Sequence, residues 1–401
     1  MDVLELLVGA IVGAVLGYLL PRWYEDGKRY LQRRNRENRR LLLESNNVYG
    51  WLVEYYERRG SINDLFDCKI GNFEIKMPFL TKREWQCVSK IQPEGNKILQ
   101  YAETSNKGFK IDWRLMKKRM ELGQRLFNEP TLYLDRLEEH DNSITLHVKT
   151  CEYFQMATLL ARLEEETFRA VRKSAYTGVP FRDECLPNLA RAQKLVKRPF
   201  SIGCIAVLAV RIDDGYEIVI QTRAHATVTF GGTKSAIPNF GLSPIIGAEG
   251  DTNILLYNFV KEYCEELFSY DELIEMMSQK RADPFWFYGL CEAEELLSLM
   301  EDNKFALEFL GFGFDALNGT STIALLAVIE DDRASIEFKR RLCANWEVAK
   351  RTLSLARSIE FVDHKSPQLE TWLRENRYHF GSTFAISRAI ERLDQLRVEH
   401  T

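Results

Sequence analysis

Residues 202–222 read IGCIAVLAVRIDDGYEIVIQT, and this stretch decides the fold class. Its first half is a nearly continuous apolar run, which is typical of a strand that is covered on both faces. Asp213-Asp214-Gly215 is a turn signal, so residues 216–222 are predicted to form the second arm of a hairpin. Two further apolar runs, residues 306–317 and 321–331, predict another strand pair.

Helices are predicted between and after these strands. The clearest is residues 254–268, ILLYNFVKEYCEELF, and others are expected at residues 151–173, at residues 338–356 and from Pro367 onward. Strands with interspersed helices that close on one sheet predict an α/β or α+β fold, with helices packed on a mixed sheet.

The chain of 401 residues is long enough for more than one domain. Its balance of 45% hydrophobic and 28% charged residues excludes the disordered and low-complexity classes. Residues 111–128 predict a helix, and residues 73–77 and 144–150 predict strands. The expected segments are a membrane anchor at 1–21, a basic juxtamembrane helical stalk at 22–60, a mixed α/β region at 61–198 and a second domain at 199–401.

A single membrane-spanning helix is predicted at residues 3–20, VLELLVGAIVGAVLGYLL. Eighteen helical residues span about 27 Å, close to the hydrocarbon core of a bilayer. Residues 22–40 carry eight basic and three acidic side chains, which places the amino terminus outside and the bulk of the chain in the cytoplasm. A cleaved signal peptide would need a basic start and a cleavage site that are not found here. A buried core helix is the remaining alternative.

Gly9, Gly13 and Gly17 recur every four residues and therefore lie on one face of that predicted helix. Small residues in this register let two membrane helices approach closely. The pattern predicts a homo-oligomer that assembles through the membrane, although glycine is also common in single spans.

The charge distribution does not favour nucleic acid as a partner. The formal net charge is −4 although the juxtamembrane run is basic, so the rest of the chain is acidic. The basic run therefore suits topology and lipid headgroups better than DNA or RNA. The eight cysteines show no Cys-x-x-Cys pair, which predicts buried free thiols in a reducing compartment.

Three glutamates suggest chemistry in the helix at residues 254–268. Glu262, Glu265 and Glu266 stand at i, i+3 and i+4, so an α-helix would bring them to one face. Such a cluster suits a hard divalent cation that bridges to substrate phosphates. A solvated helix surface is the alternative, because similar glutamate pairs occur elsewhere in the chain.

The segment from Gly247 to Phe268 resembles the Nudix box, in which a glycine precedes an Arg-Glu-x-x-Glu-Glu helix. Lys261 aligns with the arginine of the box, and Gly247 aligns with its leading glycine. The upstream hairpin that ends at Arg223 and the loop that contains Phe240 and Gly241 are similar to the segments that precede such boxes. The resemblance covers residues 199 to about 395. The strand pair and the closing helices downstream of the box are similar to those of a divergent bacterial branch of Nudix-like proteins.

The resemblance implies a Nudix-like α/β/α sandwich with a nucleoside-diphosphate-type ligand, and together with the predicted membrane helix it places the protein at the bacterial inner membrane. It implies that Glu262, Glu265 and Glu266 hold Mg²⁺ or Mn²⁺ for pyrophosphate hydrolysis, and that Arg223, Phe240, Gly241, Gly247 and Lys261 contact the ligand. The chain departs from the box at four positions, namely Asn253, Lys261, Tyr263 and Phe268.

These departures leave three functions open. The first is a membrane-anchored Nudix-type hydrolase. The second is a nucleotide sensor that binds without hydrolysis and acts on the membrane, as in bacterial antiviral defence. The third is a scaffold without a small-molecule site.

Overall fold

The computed structural model describes most of the chain outside its amino terminus. The described residues are 21, 23–31, 33, 34, 37, 47–93, 98–102, 109–121, 124, 126–141, 143–194, 198–224, 232–245, 253–270, 284–343, 348, 358–375 and 378–399. The predicted membrane span at residues 3–20, with Gly9, Gly13 and Gly17, lies outside them. Among the described residues, no helix combines the length and the apolar character needed to cross a bilayer.

The predicted hairpin is confirmed and lies inside the main sheet. Its arms are Ile202–Ile212 and Gly215–Thr222, and the side chains of the first arm are almost entirely buried. The strands of the described part, in chain order, are β1 Leu65–Ile70, β2 Phe73–Leu80, β3 Ser89–Lys90, β4 Leu99–Ala102, β5 Pro130–His140, β6 Ser143–Glu152, β7 Ile202–Ile212, β8 Gly215–Thr222, β9 Lys234–Ala236, β10 Asn239–Gly241, β11 Phe305–Asp315, β12 Ser321–Ile329 and β13 Ile359–Asp363.

The main sheet runs in the order β1-β2-β11-β12-β7-β8-β13, and β3, β9 and β10 pair at its side. The pair of β12 and β7 is parallel, whereas the other pairs of this sheet are antiparallel. The prediction of a mixed α/β fold is therefore confirmed. Strands β1 and β2 come from the region at 61–198, so strands from both sides of the predicted boundary at residue 198 belong to one sheet.

Ten α-helices lie in the described part, besides the helical residues near the amino terminus. They are α1 Asn47–Glu57, α2 Trp113–Glu121, α3 Tyr153–Arg172, α4 Pro180–Cys185, α5 Leu189–Lys194, α6 Ile254–Glu262, α7 Cys291–Glu301, α8 Asp332–Arg341, α9 Pro367–Arg374 and α10 Phe380–Glu399.

Helices cover both faces of the main sheet. On β12, Ala324 and Ile329 point to opposite faces because side chains alternate along a strand. Gly311, opposite Ala324, lies under Phe384 of α10. Phe305, opposite Ile329, stacks on Phe259 of α6 at 6.0 Å between ring centroids. The sheet therefore lies between α6 and α10.

A second sheet, in the order β4-β6-β5, belongs to the region at 61–198. Strand β6 passes directly into α3, which begins with a capping box between Glu152 and Gln155. The sequence did not predict β5. The predicted helix at 111–128 is shorter than expected, since α2 ends at Glu121.

The described part of the predicted stalk behaves in two ways. Residues 23–31 are helical and exposed, and their aromatic side chains Trp23 and Tyr24 face solvent. Helix α1, by contrast, buries Trp51, Leu52 and Tyr55 in the core. The carboxyl end of the predicted stalk therefore belongs to the folded body.

All eight cysteines are free, as predicted. The prediction that they are buried holds for five of them, Cys68, Cys151, Cys185, Cys204 and Cys264. Cys87 is partly buried, and Cys291 and Cys343 are exposed.

Candidate functional site

The predicted site helix begins as an ordinary α-helix. Asn253 is its N-cap, because the side-chain oxygen accepts the N–H of Leu256 at 3.1 Å. The amide group of the same side chain donates to the carbonyl of Gln92 at 2.6 Å. The departure from the Nudix pattern at Asn253 therefore has a structural reason, since this residue starts and anchors α6.

The end of this helix differs from the prediction. The α-helix gives way to a π-helical turn over Tyr263–Leu267, so Glu265 and Glu266 lie in the π turn and Glu262 lies just before it. A π turn widens the backbone spacing and often occurs at functional sites. Nothing in the residue pattern signals this turn.

We call Glu262, Glu265 and Glu266 the acidic trio, and Lys261 contacts the first two of them. Its Nζ is 2.8 Å from Oε1 of Glu262 and 3.4 Å from Oε2 of Glu265. The lysine and Glu265 are both buried. Burial disfavours the ammonium, but the negative charges of Glu262 and Glu265 outweigh this and raise the pKa of Lys261 above its ordinary value. The two carboxylates therefore favour the charged form of the lysine.

Glu266 has a different protein contact. Both of its carboxylate oxygens accept the backbone N–H of Asn239, at 3.1 and 3.2 Å. Asn239 opens β10 and follows the cis peptide bond between Ile237 and Pro238. Glu266 is only 2% exposed. It therefore fixes the π turn to the strand that carries Phe240 and Gly241.

The other predicted ligand residues lie in several places. Phe240 is buried on β10 opposite Cys204, and Gly241 is exposed at the end of that strand. Burial and the charge of Glu262 raise the pKa of the Cys204 thiol well above its ordinary value, so Glu262 lies near this pair. Gly247 lies outside the described residues.

Arg223 is buried at the end of β8, where its main chain pairs with Thr233 and Gly232. Its charge reaches His379 at the beginning of α10, because burial and Arg223 together hold the pKa of His379 well below its ordinary value. The structure thus joins Lys261, the trio and β10, and it places Arg223 beside His379.

The remaining departures from the Nudix pattern are packing residues. The ring centroid of Tyr263 is 5.2 Å from that of Phe268, and both rings contact Phe338 of α8. The guanidinium of Arg341 lies 5.6 Å from the ring of Phe268. This aromatic cluster fixes the end of the π turn where the box would have a glycine.

The acidic trio does not line the apolar cavity that lies beside β5 and β11. That cavity is lined mainly by apolar side chains, among them Leu134, Phe200 and Phe314. None of the predicted site residues lines it. Within the described ranges, no group of three or more His, Cys, Asp and Glu side chains is arranged to hold a metal ion.

No family model matches the chain, and no curated protein matches it. The resemblance to Nudix proteins therefore rests on the residues quoted above.

Strand β10, which begins at Asn239, lies very close to β7. A Cβ atom at Gly203 would lie 2.7 Å from the carbonyl oxygen of Phe240, whereas one at Gly241 would meet nothing within 4 Å. We expect Gly203→Ala to lower the free energy of unfolding by about 1–3 kcal/mol, since β10 must shift. Gly241→Ala is the matched control and should change it by less than about 0.5 kcal/mol. Urea unfolding of both variants measures this, and equal effects would contradict the tight contact.

Proposed function

We propose that the chain is a membrane-tethered protein with a Nudix-like α/β/α domain that binds a nucleoside-diphosphate-type ligand. We further propose that it acts as a sensor that does not hydrolyse this ligand. The site is the end of the main sheet where the acidic trio meets β10. The support comes from the quoted resemblance, from the buried carboxylates and from the π turn that presents two of them.

The position of Lys261 is the main support for binding without hydrolysis. Its ammonium contacts Glu262 and Glu265, the side chains that a catalytic divalent cation would use. A buried ion pair is costly to break, because the partner that remains is an uncompensated charge in a poorly solvated place. A divalent cation would have to compete with this lysine for the two carboxylates.

The third glutamate adds to the same argument. Mg²⁺ requires near-octahedral oxygen ligands and gives up its water reluctantly. Glu266 directs both of its oxygens at the N–H of Asn239. As they stand, these side chains do not fit Mg²⁺ or Mn²⁺.

In the sensor, ligand binding near β10 is relayed to the membrane. The predicted partner of this relay is the helix at residues 3–20, whose glycine face would join a second copy of the chain. A membrane effector that answers a nucleotide signal, as in bacterial antiviral defence, would have this organisation. The exposed helical residues 23–31 provide the connection on the membrane side.

The test uses the full-length chain in lipid nanodiscs with ATP, ADP-ribose and diadenosine tetraphosphate as probes. Calorimetry measures binding, and chromatography measures the products after incubation with Mg²⁺ or Mn²⁺. We expect binding of at least one probe without turnover. Turnover that is lost in Glu265→Gln would overturn the sensor in favour of the hydrolase. The absence of binding by all three probes would remove the nucleotide proposal and favour a scaffold.

A further inference from the structure

A buried polar network lies where the main sheet meets helices α1, α3 and α4. At its centre is Arg182 of α4, which has no solvent exposure. Its guanidinium donates to the carbonyls of Ala316 and Leu317, which follow β11, and to the hydroxyl of Thr167 on α3. One side chain therefore joins two helices to the end of a sheet strand.

Asp315 is the last residue of β11, and only one of its two carboxyl oxygens has a hydrogen-bond partner. Its Oδ1 accepts the N–H of Leu317 at 2.8 Å. Its Oδ2 is buried and has no hydrogen-bond partner among the described groups. A bare carboxylate oxygen in such a place is costly, whereas the neutral acid costs much less.

The charges around Asp315 come from four elements. Arg182 of α4 is the nearby cation, and Glu164 of α3 is a nearby anion that is itself paired with Arg119 at 2.5 Å. Tyr56 of α1 and Asp64 of the turn at 62–64 lie at the same network. Burial and the charge of Glu164 raise the pKa of Asp315 to about 7, against the hydrogen bonds from the main chain and the charge of Arg182.

The same network reaches the helix that follows the juxtamembrane segment. The guanidinium of Arg182 lies 5.9 Å from the ring of Trp51 and 5.7 Å from the ring of Tyr55, both on α1. The hydroxyl of Tyr56 donates to the carbonyl of Leu186, just after α4. One contact of α1 with the end of β11 therefore passes through Arg182, whereas α1 also contacts β2 directly, where the hydroxyl of Tyr49 donates to the carbonyl of Lys76 at 2.7 Å.

We propose that Asp315 is a proton-operated latch that fastens the end of β11 to helices α1, α3 and α4. The neutral acid keeps the latch closed. Loss of its proton places a charge on an oxygen that lacks a hydrogen-bond partner and loosens the contact of α1 with the end of β11. The latch does not depend on nucleotide binding, and its failure would leave the sensor proposal intact.

The direction of the pH effect follows from the raised pKa. A carboxyl whose pKa in the folded protein lies above its unfolded value stabilises the fold at low pH, and this contribution is lost as the pH rises through the folded pKa. The ordinary value is 3.8 and the folded one is about 7. Stability from this group is therefore lost progressively as the pH rises from 3.8 to about 7, and only the last part of the loss falls above pH 6.

The test compares full-length wild type with Asp315→Asn, which imitates the neutral acid, in a non-ionic detergent. We expect the unfolding midpoint of the wild type to fall by about 2 °C between pH 6 and pH 8.5. The midpoint of Asp315→Asn should lose most of this slope. Glu308→Gln is the matched control at a second buried acid of β11, which pairs with Arg392 at 2.8 Å, and it should lower the midpoint at every pH without removing the slope.

Hydrogen exchange gives a local measurement on the wild type alone. After correction for intrinsic rates, amides at 315–320 and 180–186 should exchange about tenfold faster at pH 8.5 than at pH 6. An Asp315→Asn variant with the wild-type slope would overturn the latch. So would unchanged protection of these two segments, even if the variant failed to fold.

Discussion

Replacing Lys261 by methionine is expected to lower the free energy of unfolding by about 3–5 kcal/mol at neutral pH. Methionine keeps most of the apolar stem but removes the ammonium that contacts Glu262 and Glu265. Two like charges then remain close together in a place where water cannot screen them well. Urea unfolding followed by circular dichroism measures the loss.

The same variant should gain a response to metal. Millimolar Mn²⁺ or Mg²⁺ should restore part of the lost stability of Lys261→Met, because a divalent cation can take the position of the ammonium. The wild type should show no such response. Lys118→Met is the control, since Lys118 forms a largely exposed pair with Glu165 and should change stability by less than about 1 kcal/mol. A loss in Lys261→Met as small as in the control would contradict the internal ion cluster.

Arg182→Met should be as damaging, with an expected loss of about 3–5 kcal/mol. The substitution leaves the carbonyls of Ala316 and Leu317 without their buried donor and removes the cation beside Asp315. Lysine cannot rescue it, because a single ammonium cannot reproduce the planar fork of the guanidinium.

Arg191 offers the control on the neighbouring helix α5. It donates to the carbonyl of Glu184 at 2.9 Å at an exposed position, so Arg191→Met should cost less than about 1 kcal/mol. Urea unfolding of the full-length variants measures both. Similar stability of the two variants would show that the buried network contributes little.

The sequence predicts a strand of the main sheet where the residues of that strand alone form a recognisable apolar pattern. Strand β7 is buried along nearly its whole length, so its sequence is an unbroken apolar run that ends at a turn. Strand β5 was missed because its second half is partly exposed and carries charged residues. The pairing of β2 with β11, which joins the two halves of the chain in one sheet, depends on contacts such as that of Leu80 with Phe314. No local pattern reports such contacts.

In the candidate site, too, contacts within one helix can be predicted from the sequence, whereas contacts between elements cannot. The spacing of Lys261 and Glu265 along a helix is enough to predict their pairing, and Asn253 before an apolar helix is a recognisable cap. The contact of Glu266 with the N–H of Asn239 joins residues from two elements, so it depends on the packed fold. The π turn changes the relative directions of the glutamates, and the sequence carries no sign of it.

Manganese binding to the full-length wild type, followed by electron paramagnetic resonance, tests directly whether Lys261 holds the place of a metal. We predict that the signal of free Mn²⁺ is the same in the wild type and in Glu265→Gln, and that Lys261→Met binds one additional ion. A tightly bound Mn²⁺ in the wild type that disappears in Glu265→Gln would contradict this account and would restore the hydrolase.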